Sequence, residues 1–189
     1  MLRYYVLAIY NQLMKNIFAT LACTVVFCLS LSAQNPSKPL AVGDAVPIFT
    51  LKNQNDKTFN IKDEIGKHIL VIYFYPKDES MVCTKEACAF RDSFNDYTRA
   101  GAKVIGINGG TVASHKQFEQ HYKLPFILLS DPENKVYKMF GVRKKFFMSG
   151  RQTFVVDIKG NIAFSYEAML SGAEHSNQAL AVVRSLKTR

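Results

Sequence analysis

Cys83 and Cys88 stand five residues apart in the stretch Tyr73-Phe-Tyr-Pro-Lys-Asp-Glu-Ser-Met-Val-Cys-Thr-Lys-Glu-Ala-Cys-Ala-Phe-Arg91. An apolar run meets Pro76, a short polar turn follows, and Cys83 opens a helical pattern. The chemistry such a place supports is nucleophilic attack by a thiolate. The unpaired N–H groups of a helix start carry about half a positive charge in sum, which favours thiolate over thiol. A cationic side chain would add to this. Arg151 is the candidate, because it immediately precedes a predicted strand and strands of one sheet can end side by side. Lys77, Lys85 and Arg91 are its rivals by sequence distance alone. Ser80, three residues before Cys83, can direct a hydroxyl toward the thiolate or an incoming oxygen. Pro76 ends the strand without leaving an unpaired N–H. The competing reading makes Cys83 a small core residue, since it falls on an apolar stripe, and Cys88 an inert neighbour.

Helix geometry sharpens the pair. In an intact helix, residues five apart are separated by ~7.5 Å of rise and about 140° of rotation. Their Cα atoms then lie roughly 8–9 Å apart, beyond the ~7 Å limit for a disulfide. The two cysteines cannot bond while the helix is whole. If they bond, its first turns must unwind.

The elements that would position these residues alternate between strands and helices. Ile48–Leu51 and Thr58–Ile61 flank a polar turn and read as a hairpin. His68–Tyr75 is a near-continuous apolar run suited to a central strand covered on both faces. Cys83, Ala87, Phe90, Phe94 and Tyr97 repeat at helical spacing, predicting one helix over 83–99 that stops at Gly101. Lys103–Ile107 and Pro125–Leu129 read as strands, and Val112–Tyr122 as a helix. Asp131-Pro132 offers an N-cap and first-turn proline for a helix running to about Phe140. Thr153–Asp157 and Ile162–Tyr166 enclose Ile158-Lys-Gly-Asn161, a hairpin signal. Ser171-x-x-Glu174 resembles a capping box for a last helix that buries Ala179, Val182, Val183 and Leu186. The pattern is that of an α/β protein: a central sheet with helices on both faces.

The stretch from Pro76 to Cys88 carries a resemblance to a known family. The segment resembles the peroxiredoxin active site, Pro-x-x-x-Thr/Ser-x-x-Cys, with Pro76, Ser80 and Cys83 at the required spacing. Thr84-Lys-Glu-Ala-Cys88 is similar to the peroxiredoxin Q (bacterioferritin comigratory protein) type, whose resolving cysteine lies five residues downstream. The similarity continues through Gly106-Ile107, Ser114-His115-Lys116, Leu124-Pro125-Phe126 and Leu128-Leu129-Ser130-Asp131-Pro132. It ends in Gly150-Arg151-Gln-Thr-Phe-Val-Val-Asp157, where the family's catalytic arginine falls on Arg151.

The resemblance implies a thioredoxin-like fold with a central mixed β-sheet, and a thiol peroxidase needing no metal or organic cofactor. Cys83 would be peroxidatic and Cys88 resolving. Arg151 and Ser80 would hold the hydroperoxide, and Pro76 would shape the turn. A thioredoxin-like reductant would reopen the disulfide, and the chain would be a monomer or weak dimer. Met81-Val82 replace the usual Pro-Gly before the cysteine, a change expected to narrow the peroxide entrance or favour apolar hydroperoxides. The alternatives are an exported thiol–disulfide oxidoreductase, which would favour the absent Cys-x-x-Cys, and a redox sensor using the same pair.

Residues 1–33 differ from the rest. They contain Arg3 and Lys15 but no acid, and from Ile17 to Ala33 the chain is apolar or small. This predicts a cleaved export signal ending at Ala33, with Met14 as an alternative start, or a retained membrane anchor through residues 17–33. Cys23 and Cys28 read as small hydrophobes of that segment. Either version predicts an exported or membrane-associated, periplasm-like location if the segment is functional, and a cytoplasmic one otherwise. Residues 34–42 read as a linker and 43–189 as one domain. The net charge of +9 has no long Lys/Arg block behind it, and no nucleic-acid module accompanies it. His115 and His121 are six apart on a predicted helix and share no ligand face. His68 begins a strand and His175 lies in a helix's first turn; no zinc spacing is present. Arg143-Lys-Lys-Phe-Phe-Met148 reads as a basic loop packing its aromatics, or as a docking surface.

Overall fold

The computed structural model describes residues 38–145 and 149–187. The readings of an export signal, an anchor, an alternative start and Cys23 or Cys28 lie outside the described residues, as do Phe146, Phe147 and Met148.

Seven strands form one mixed sheet: β1 (Thr50–Asn53), β2 (Thr58–Asn60), β3 (Ile69–Phe74), β4 (Ala102–Asn108), β5 (Ile127–Ser130), β6 (Gln152–Val156) and β7 (Ile162–Glu167), in the order β2-β1-β5-β4-β3-β6-β7. The three central strands β5, β4 and β3 are parallel, and β6 runs antiparallel beside β3. Both predicted hairpins form as antiparallel pairs. Alternation along β3 builds two cores. Ile69, Val71 and Tyr73 face one side with Ala87, Phe90, Tyr97, Phe118 and Val183. Leu70, Ile72 and Phe74 face the other with Phe49, Ile61, Val136, Phe140 and Phe154. A strand buried on both faces explains the unbroken apolar run.

The helices are α1 (Met81–Asp92), α2 (Phe94–Arg99), α3 (Val112–Tyr122), α4 (Lys135–Met139) and α5 (Gly172–Lys187). Three expectations are corrected here. The single helix over 83–99 is two, beginning at Met81 and broken at Ser93, whose φ of −95° and ψ of 4° lie off the helical values. Serine competes with the helix for local hydrogen bonds, and the break lets Tyr97 continue the buried stripe. Asp131 is not the N-cap of the next helix. That helix starts at Lys135, and the Asp131 carboxylate accepts from the backbone N–H of Lys135 and Tyr137, each at 2.9 Å. The helix stops at Gly141, as read, where φ is 66°. The reciprocal half of the Ser171 capping box is replaced: Glu174 accepts from Asn177 and Gln178 further along its own helix.

Candidate active site

The site forms where β3 ends and β6 begins. Phe74 pairs with Gln152 in the antiparallel register, so the residues just beyond, Tyr75 and Arg151, come to the same edge. The antiparallel register thus brings Arg151 to the strand end that carries the Pro76–Cys83 turn. Cys83 occupies the third position of α1, within its first turn, and is 1% exposed. Arg151, only 2% exposed, donates from Nη2 to Cys83 Sγ at 3.1 Å. The rival cations are elsewhere. Lys77 and Lys85 are exposed, and Arg91 is bound to Asp92 and the Tyr122 carbonyl.

The guanidinium is fixed on three sides. Besides the sulfur, Nε donates to the Met169 carbonyl at 3.0 Å and Nη1 is paired with the Glu86 carboxylate. Glu86 is fully buried, one turn along α1 from Cys83. Burial pushes its carboxyl up to about 8, a rise that the Arg151 charge and hydrogen bond only partly offset. Its Oε1 has no hydrogen-bond partner and lies 3.5 Å from His175 Nδ1. His175 is held by Thr153 Oγ1 at 2.8 Å and the Ala168 carbonyl at 2.9 Å. Nε2 donates to that carbonyl, leaving Nδ1 to accept from the Thr153 hydroxyl. Burial, more than any neighbour, lowers this imidazole to about 4, so it is neutral at ordinary pH.

The other expected residues are close by. Pro76 follows Tyr75 at the strand end. Ser80 is the N-cap residue of α1, but its hydroxyl donates to the Lys77 carbonyl at 3.2 Å and makes no capping bond. Cys88 sits on the same unbroken helix as Cys83, half-buried, and both are free thiols. Met81 is 75% exposed, its side chain turned out to solvent, while Val82 is half-buried. Behind them, Gly172 abuts the first turn of α1: a Cβ there would lie 2.5 Å from the Val82 carbonyl oxygen.

Sequence reasoning missed Glu86 and Asp78. Asp78 is buried and accepts from Tyr75, Asn108, Ser114 and His115. The available signal for Glu86 was an acid three residues after Cys83 on a helix, hence near the same face. His115 and His121, read as packed or surface residues, are one of each: His115 is buried against Asp78, and His121 is exposed beside Glu79.

The AhpC/TSA family model matches residues 42–165. The chain belongs to this family. Its relatives are peroxiredoxins of the Q type. It is 47% identical over 146 residues to the chloroplastic peroxiredoxin Q of Triticum aestivum, covering 76% of this chain and 67% of the relative. It is 41% identical over 172 residues to that of Sedum lineare, covering 85% of this chain and 92% of the relative. Among solved structures, the peroxidoxin BcpB of Mycobacterium tuberculosis superposes with a TM-score of 0.73 at 29% identity, over 78% of this chain and 98% of that one. Xanthomonas campestris peroxiredoxin Q gives 0.70 at 28% identity, over 78% and 97%. The fold is therefore the thioredoxin-like peroxiredoxin fold, and the protein is a peroxidase. The relatives also correct one expectation. They are chloroplastic proteins, a finding that overturns the expectation of an exported, periplasm-like or membrane-associated location.

Proposed function

We propose that this peroxiredoxin reduces hydrogen peroxide and organic hydroperoxides through Cys83, resolves the product with Cys88, and is recycled by a thioredoxin-like dithiol. The observation that carries the reading is the 3.1 Å contact between Arg151 Nη2 and Cys83 Sγ. A guanidinium N–H at that distance makes a charge-assisted bond to a thiolate and presents positive charge where a peroxide's oxygens must sit.

The Cys83 thiolate attacks the terminal oxygen of ROOH. The O–O bond breaks, RO⁻ leaves and is protonated to ROH, and Cys83 becomes a sulfenic acid. Arg151 steadies the charge separating across the O–O bond, and the Ser80 hydroxyl, released from Lys77, is available to the same oxygens. The Cys88 sulfur then attacks the Cys83 sulfur, water leaves, and a disulfide forms. The reductant's two thiols return two electrons and two protons by exchange. The burial of Cys83 disfavours the alternative reading as a general protein oxidoreductase, because a protein disulfide cannot reach a covered sulfur.

The chloroplastic relatives support a plastid location for this chain. The test of the catalytic reading is peroxide consumption coupled to a thioredoxin system. Wild type should turn over, and Cys83→Ser should not. Cys88→Ser should consume one equivalent of peroxide and then stall. Full turnover by Cys83→Ser, or sustained thioredoxin-dependent turnover by Cys88→Ser, would overturn the respective assignment.

A further inference from the structure

The loop joining β3 to α1 is held far more tightly at one end than at the other. At Asp78, one carboxylate takes four hydrogen bonds: from Tyr75 Oη at 2.7 Å and Asn108 Nδ2 at 2.9 Å on Oδ1, and from Ser114 Oγ at 2.5 Å and His115 Nδ1 at 2.8 Å on Oδ2. These donors come from the end of β3, the end of β4 and the first turn of α3. His115 is itself tied through Nε2 to the Leu129 carbonyl of β5 at 3.1 Å. Burial opposes the ionised carboxyl, but the bonds and charge of His115, with Ser114 and Tyr75, keep it below the usual carboxylate range.

One residue later the restraint is much lighter: the Glu79 carboxylate keeps only a solvent-exposed contact with His121 Nδ1 at 3.2 Å. Glu79 is exposed, with φ of 60°, a left-handed conformation that costs a non-glycine residue energy. Ser80 provides no side-chain cap, and no acid lies in the first turn of α1. A fixed point is thus followed directly by a strained residue and an uncapped helix start, with Cys83 three residues beyond Ser80.

We propose that Asp78 is a positioning residue for Cys83: it anchors the chain five residues ahead of the thiol, so that the unwinding needed to reach Cys88 stops at Glu79 and the helix refolds onto Arg151 from a fixed origin. This rests on the reading of Cys88 as the resolving partner. Asp78 acts on the two steps of the cycle in opposite directions. Attack on peroxide needs the intact helix with Cys83 against Arg151. Disulfide closure needs that helix unwound. A loosened anchor therefore slows the first and leaves the second unslowed, whereas a loss of global stability that leaves the helix start folded changes neither.

The test is Asp78→Asn, which keeps the shape and removes the charge, studied by single-turnover kinetics in the full chain. The rate of Cys83 oxidation by hydrogen peroxide should fall about tenfold or more, while closure of the disulfide from the sulfenic acid is unchanged or faster. Ser114→Ala, which removes one donor, should shift the ratio of the two rates the same way by about threefold, and it carries the test if Asp78→Asn does not fold. In oxidised wild type, amide exchange should accelerate from Ser80 to Cys88 but not over Tyr75–Asp78. Equal effects on both steps, no effect on either, or fast exchange reaching Tyr75 would overturn the proposal while leaving Cys88's role intact. A wild type that forms no Cys83–Cys88 disulfide would overturn that role and this proposal with it.

Discussion

Arg151 donates to the sulfur of Cys83 over 3.1 Å, across 68 residues of sequence, and the same guanidinium is paired with Glu86. The register of β6 against β3 sets the first contact, and the helical turn from Cys83 to Glu86 sets the second. One buried cation is therefore shared between the reacting sulfur and a carboxylate that takes no part in bond breaking.

Removing that cation should separate two effects. Arg151→Gln is expected to slow Cys83 oxidation by about 10²–10³-fold, the usual loss on deleting a donor that meets charge in the transition state. It should also cost roughly 1–3 kcal/mol of stability, because the buried Glu86 carboxyl and the Met169 carbonyl lose their donor. The double variant Arg151→Gln/Glu86→Gln should regain most of the stability and none of the rate, as read by urea denaturation and stopped-flow oxidation. Arg151→Lys should fail nearly as badly, since an ammonium cannot serve sulfur, carboxylate and carbonyl from one planar fork.

Glu86 should make the fold sensitive to base. Its carboxyl ionises near 4.5 in the unfolded chain but only at about 8 in the fold. Between these values unfolding releases a proton, so its contribution to stability falls as pH rises through the window. Glu86→Gln removes this slope. Denaturation at pH 5 and pH 8 should show the variant gaining on wild type toward the higher pH; a constant difference would contradict the raised carboxyl.

His175 should act from the acid side. Its imidazole protonates near 6.5 when unfolded and at about 4 in the fold. Between these values unfolding takes up a proton, so stability is lost as pH falls from 6.5 toward 4 and is unaffected above. His175→Gln should flatten that limb in a thermal-melting series, and an unchanged limb would assign the acid sensitivity to another group.

Gly172→Ala should damage the site without touching its chemistry. The added Cβ would meet the Val82 carbonyl at 2.5 Å and the Glu86 nitrogen at 3.1 Å, both backbone atoms that cannot swing away. The first turn of α1 must shift, at a cost of about 1–3 kcal/mol. Slower Cys83 oxidation with the α-helical signal retained is the expected result.

Much of this was legible in the sequence, for identifiable reasons. β3 announced itself because burial on both faces leaves no polar alternation. Pro76, Ser80 and Cys83 lie within eight residues, so spacing alone could group them. Arg151 was reachable because strand ends share an edge. Glu86 was not, since its burial depends on a partner 65 residues away. Asp78 was hidden for a similar reason: in a turn, an aspartate looks like a solvated turn residue until the four donors arrive from other elements. The break at Ser93 escaped because the apolar stripe runs on through it, and a serine between two helical segments leaves that stripe intact. Asp131 was misread by only a few residues, its carboxylate serving the next helix from outside it.

Glu86 lies between Cys83 and Cys88 on one helix, and that placement has a thermodynamic side. A disulfide joining the two must unwind the very residues that carry Glu86 and pull the carboxylate off Arg151. The native fold thus favours the dithiol over the disulfide more than an unfolded chain would. By the thermodynamic cycle linking folding to oxidation, that preference raises the reduction potential of the pair. The oxidised enzyme should melt earlier than the reduced one, and the gap between them is driving force handed to whatever dithiol reduces it.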